Sequence, residues 1–87
     1  MNEGEARAEL GRVLNALEAS GYASLRGRVG TNKVFEAKAE SGAVYQLEVM
    51  IAWDHKPEGA IRVLGSIDDG GLRAFLPLTE SRLVPPP

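Results

Sequence analysis

Apolar residues in this chain follow two spacings, one near the N-terminus and another beyond Gly21. Leu10, Val13, Leu14 and Leu17 fall at i, i+3, i+4 and i+7, and Ala6 extends the stripe one turn back, which predicts an amphipathic helix over 3–20. Asn2 followed three residues later by Glu5 has the capping-box form, and Glu3 and Glu5 suit the positive end of the helix dipole. Gly21 stands where a left-handed residue would end the helix. Tyr22 and Leu17 are then spaced for the hydrophobic contact of a Schellman motif.

After Gly21 the period becomes two, and strands are predicted at 22–29, 33–39, 43–53, 60–68 and 71–76. One face of the first strand carries Ala23, Leu25, Gly27 and Val29, and the same phase continues through Phe35, Ala37 and Ala39. It runs on through Tyr45, Leu47, Val49, Ile51 and Trp53, then Ile61, Val63, Gly65 and Ile67, and ends with Leu72, Ala74 and Leu76. The opposite face is mainly polar, as expected of an antiparallel sheet covered on one side.

Turn chemistry supports this register. A three-residue loop Glu40-Ser41-Gly42, with Gly42 left-handed, sets Phe35 against Leu47 and Ala37 against Tyr45. A two-residue Asp69-Gly70 turn of type I′ would pair Ile67 with Leu72, Gly65 with Ala74 and Val63 with Leu76, leaving Leu64 opposite Phe75 on the other face. Pro77 and Pro85-Pro86-Pro87 mark 77–87 as an extended tail, in which Leu83 and Val84 form a short extra strand or tie the tail to the body.

The expected fold class is α+β: a single domain, 1–87, with an N-terminal helix packed on one face of a curved four- to five-stranded antiparallel meander spanning 22–76. Gly27, Ala37, Gly65 and Ala74 are small residues that would seat the helix. The layout resembles cystatin-like and hot-dog-like arrangements in outline. That likeness is topological and implies no activity.

Composition narrows the function classes. The 87 residues carry 10 Lys+Arg against 12 Asp+Glu, no Cys and 44% hydrophobic residues, which argues against disorder, a disulfide scaffold and a Cys-ligated metal. A net charge of −2 makes nucleic acid an unlikely general partner. The longest apolar run, Val49 to Trp53, is too short for a bilayer, and no basic leader precedes an apolar segment, so a cytoplasmic protein with no membrane partner is expected.

Candidate chemistry is sparse. Successive hairpins place Asp54 and His55 at one end of the sheet, and Gly21, Ser41, Asp68 and Asp69 at the other, so the acids and the single His cannot share a metal. There is no nucleophile elbow and no phosphate loop, and Asp68-Asp69 is accounted for by the turn, so no catalytic group, metal or cofactor is assigned. The candidate binding residues are Trp53, Asp54, His55 and Lys56 in the longest polar loop, and Leu64 and Phe75 on the outward face, flanked by Met50 with Arg62 and Arg73 as a rim. Trp53 is in phase with Ile51 and Val49, so its structural role is to close the core.

Three functions follow. The first is a non-enzymatic protein-interaction domain that binds another chain or its own copy through the outward face, as a homodimer. The second is a small-ligand or catalytic domain with a cavity between helix and sheet, with Trp53, Asp54 and His55 at its mouth. The third is a weak single-stranded nucleic-acid binder using Arg26, Arg28, Lys38, Arg62 and Arg73 beside Tyr22 and Phe75, with Glu36, Glu48 and Asp68 diluting the potential.

Overall fold

The N-terminal stripe forms helix α1, Glu3–Ala19, and buries Ala6, Leu10 and Leu14. Asn2 caps it by accepting from the Glu5 N–H at 3.0 Å. The reciprocal half of the capping box is missing, because the Glu5 carboxylate turns outward to other partners. Described residues of this computed structural model are 1–71 and 77–87.

Gly21 has the positive φ expected of it, 90°, but its ψ of 163° is extended, not left-handed helical. It therefore starts a second helix instead of a strand: α2, Tyr22–Arg26, begins with Leu25 N–H donating to Gly21 O at 3.1 Å. The expected first strand at 22–29 is thus corrected. Tyr22, Leu25 and Val29 are spaced at i, i+3 and i+7, and those three turn inward while Ala23 and Gly27 are exposed. Tyr22 O–H also donates to Gly59 O at 2.8 Å, which places α2 at the 54–60 end of the sheet and moves Gly21 away from Ser41.

The sheet consists of β1, Asn32–Lys38; β2, Val44–Trp53; β3, Ile61–Asp68; and β4, Leu78–Val84. Neighbours pair antiparallel in the order β1-β2-β3-β4. An α+β architecture with an N-terminal helix on an open antiparallel sheet is therefore the observed fold. Phe35 faces Leu47 and Ala37 faces Tyr45, with Gly42 at φ 92° and Ala39 N–H bonded to Ala43 O, as the three-residue loop requires.

The C-terminal half of the meander differs from expectation. The fifth strand at 71–76 lies outside the described residues beyond Gly71, and the second edge of β3 is filled by the segment expected to be a tail. Ile67 pairs with Leu78, Gly65 with Glu80, Leu64 with Ser81 and Val63 with Arg82. Leu64 therefore stands opposite Ser81 and not opposite Phe75. Asp69 does not have positive φ, so the turn is not type I′. Gly70 and Gly71 N–H instead donate to the Asp68 and Asp69 carboxylates at 2.8 and 3.0 Å. That bond from Gly71, with the Met1 ammonium nearby, holds the Asp69 carboxyl below its ordinary value.

β4 escapes a hydrophobic-pattern reading because two of its inward positions, Glu80 and Arg82, are charged. They are satisfied by each other and by the helix: Arg82 contacts Glu80 at 3.2 Å, Asn15 at 3.2 Å and Glu18 at 3.5 Å. Leu78 and Val84 close the two ends of the core, which holds Leu10, Leu14 and Leu25 against Leu47, Val49, Ile51, Ile61, Val63 and Ile67. At Gly65 the leucines of α1 press close on the sheet, where a Cβ would stand 2.7 Å from Leu10 Cδ1.

Candidate functional site

The loop from Asp54 to Ala60 is braced from within and from α2. Asp54 N–H donates to Ala60 O, Gly59 N–H to Lys56 O, and Arg26 Nε to Glu58 at 3.0 Å. Glu58 itself holds a positive φ of 68°. Trp53 is half-buried against the core, which is the structural role its phase implied. Asp54 receives a hydrogen bond from Arg62 Nε at 2.8 Å, and Arg62 also donates to Ser81 at 3.0 Å, so these two candidate residues do come together as a fixed pair. His55 and Lys56 project into solvent; His55 is 93% exposed, its nearest carboxylate Asp54 at 3.9 Å. The cleft that does open between helix and sheet is lined by other residues, not by Trp53, Asp54 or His55.

At the opposite end Glu5 gathers two hydroxyls, accepting from Tyr45 O–H at 2.7 Å and Ser41 Oγ at 2.8 Å. The bond to Glu5, helped by burial and by neighbouring carboxylates, pushes the Tyr45 phenol up to about 12 from an ordinary 10.0. A proton held more tightly in the fold than in the unfolded chain contributes stability that is complete below pH 10.0 and lost as pH rises through about 12. Ultraviolet titration of the folded protein should show a tyrosinate step near pH 12 that is absent in Tyr45→Phe. A native protein whose tyrosines all ionise near pH 10.0 would refute the Glu5 bond.

The outward face of the sheet carries an apolar stripe. Met50 and Leu64 are directly opposite, Val34 lies diagonal to Met50, and Leu83 lies diagonal to Leu64. All four remain in solvent, at 65% for Val34, 44% for Met50, 40% for Leu64 and 47% for Leu83. Shallow depressions beside them are lined by Glu48, Ser66, Pro77 and Thr79. Phe75 and Arg73, which were expected to complete this patch, lie outside the described residues. Val34 falls on this face by the β1–β2 register that the sequence predicts, whereas Leu83 could not be joined to it, because its place depends on the unexpected β3–β4 pairing.

On the inward face a cleft opens whose lining the sequence did not point to. A helix is about 10 Å across, whereas four strands at about 4.8 Å spacing span roughly 14 Å between the outer axes alone. One helix cannot cover such a sheet. α1 lies over β3 and β4, and a cleft of about 320 Å³ opens between it and the β1–β2 half. Val13, Ala16, Leu17, Phe35, Val49 and Ile51 form its apolar walls, and Arg12, Arg28 and Lys33 provide its charge. The available signal was Lys33, a cation in phase with the inward residues Phe35 and Ala37.

Arg26 and Arg28 belong to α2 and the turn after it, not to the sheet, so the basic sheet face expected for nucleic acid is broken up. Among the described residues no group of three or more His, Asp or Glu converges on a point, and Asp54 and His55 sit at the end of the sheet remote from Asp68 and Asp69. No helix among the described residues is long and apolar enough to cross a membrane. No family model, curated protein or solved structure matches the chain.

Proposed function

We propose that this is a non-enzymatic interaction domain whose outward sheet face binds a second copy of the chain. The observation that carries the reading is the unbroken diagonal of Val34, Met50, Leu64 and Leu83 across all four strands, on the side away from the helix. A straight stripe is self-complementary, because a two-fold rotation about its own line lays it on its copy.

Area sets the expected strength. Four strands about 4.8 Å apart and seven residues long give a face of roughly 440 Å², or about 900 Å² for two copies, just under the ~1,000 Å² of a specific interface. A reversible dimer is therefore expected. Sedimentation equilibrium should show the mass rising from 9.3 kDa towards twice that value with concentration. Replacing Met50 and Leu64 together by Ser should return the protein to a monomer with its melting temperature nearly unchanged, since neither side chain belongs to the core. A wild-type protein that stays monomeric at the highest attainable concentration, or a double variant that dimerises as well as wild type, overturns the reading.

A further inference from the structure

We infer that the cleft between α1 and the β1–β2 half of the sheet binds a small amphiphilic anion, with its apolar chain on the cleft walls and its head group between Arg28 and Lys33. The composition of the lining carries this. Three cations and no carboxylate border the cleft in a chain that has more acidic than basic residues. Arg12 is already paired with Glu9 at 2.9 Å. Arg28 and Lys33 have no carboxylate partner among the described residues.

The two hydroxyls at the cleft, Ser20 and Thr31, donate to Leu17 O and Arg28 O at 2.6 and 2.7 Å. Their protons are therefore committed to the backbone, and the two unpaired cations are the groups left to meet an anion. Lys33 runs along Phe35, its Nζ 5.9 Å from the ring centroid, so its charge sits directly above an apolar wall. An inward lysine on an edge strand also discourages pairing with other sheets, but that role accounts for neither Arg28 nor the open apolar walls.

Size and shape restrict the ligand further. The cleft of about 320 Å³ is at the small end of the ligand-pocket range. At the ~30 Å³ that liquid water gives each molecule, it has room for roughly ten heavy atoms. The ten carbons of a linear carboxylate such as decanoate fit, between Val13 and Leu17 on one side and Val49 and Ile51 on the other, with the two carboxylate oxygens at the rim beside Arg28 and Lys33. Val49 and Ile51 form the floor and are nearly inaccessible already, so a ligand would lie along the cleft without displacing the core.

The test uses the full chain and three ten-carbon probes below their micellar concentrations: decanoate, decanol and decyltrimethylammonium. Decanoate should bind saturably, move the amide resonances of Thr31, Lys33 and Phe35, and bind about tenfold more tightly than decanol, the equivalent of one charged contact. The cationic probe should bind most weakly. Arg28→Gln and Lys33→Gln should each weaken decanoate about tenfold while leaving decanol affinity and the melting temperature unchanged. Decanol binding as tightly as decanoate, variants that bind decanoate like wild type, or no saturation would each overturn the proposal. So would shifts centred on Met50 and Leu64, which belong to the outward face and are read separately by sedimentation.

Discussion

Leu14→Asp should leave the protein unfolded at room temperature. Leu14 has no solvent exposure and lies in the seam where α1 meets β3, its two methyls 3.1 and 3.4 Å from the position of a Gly65 Cβ. Truncating a buried leucine costs about 2–5 kcal/mol, and an unpaired buried carboxylate adds several more. The buried residues of the core are all hydrophobic, so the carboxylate would be set among apolar side chains. Against a total stability of roughly 4–13 kcal/mol for a chain of this length, that loss removes the folded state. Circular dichroism of the variant should show no cooperative thermal transition. A variant that melts cooperatively within a few degrees of wild type would show that α1 does not dock on the sheet through this residue.

Gly65→Val should lower the melting temperature by more than about 10 °C, taking overpacking at about 3 kcal/mol and roughly 4–8 °C per kcal/mol. Valine favours strands, so local preference would stabilise β3. The loss comes from the helix alone: the new Cβ would lie 2.7 Å from Leu10 Cδ1 and 3.1 Å from Leu14 Cδ2, and both leucines are fully buried and unable to swing aside. The pair is diagnostic, since Leu10→Ala should be partly compensated in the Gly65→Val background and not in wild type. Thermal unfolding of the four proteins measures this coupling. A Gly65→Val protein as stable as wild type would mean that α1 does not sit over β3 as described.

Helix α1 and the β1–β2 hairpin were legible from residue order because their signals are local. Leu10, Val13, Leu14 and Leu17 mark one helical face, and Gly42 supplies the left-handed residue that a three-residue loop needs, which sets every pair from Phe35–Leu47 outward. The outward stripe was legible in part, since Met50 and Leu64 fall in the exposed phase of their strands. Tertiary structure decided the rest. Tyr22 to Val29 fits a period of two or of 3.6 over so short a run, and burial of Leu25 with the Tyr22–Gly59 bond selects the helix. In β4 the inward Glu80 and Arg82 conceal the alternation, and their mutual pairing together with Asn15 and Glu18 on a helix some sixty residues earlier makes those charges tolerable there. The basic cleft has one local sign, Lys33 in the inward phase of β1, and no local signature of its walls. It exists because one helix is narrower than four strands, and a width mismatch is a property of packed elements, which no window of sequence contains.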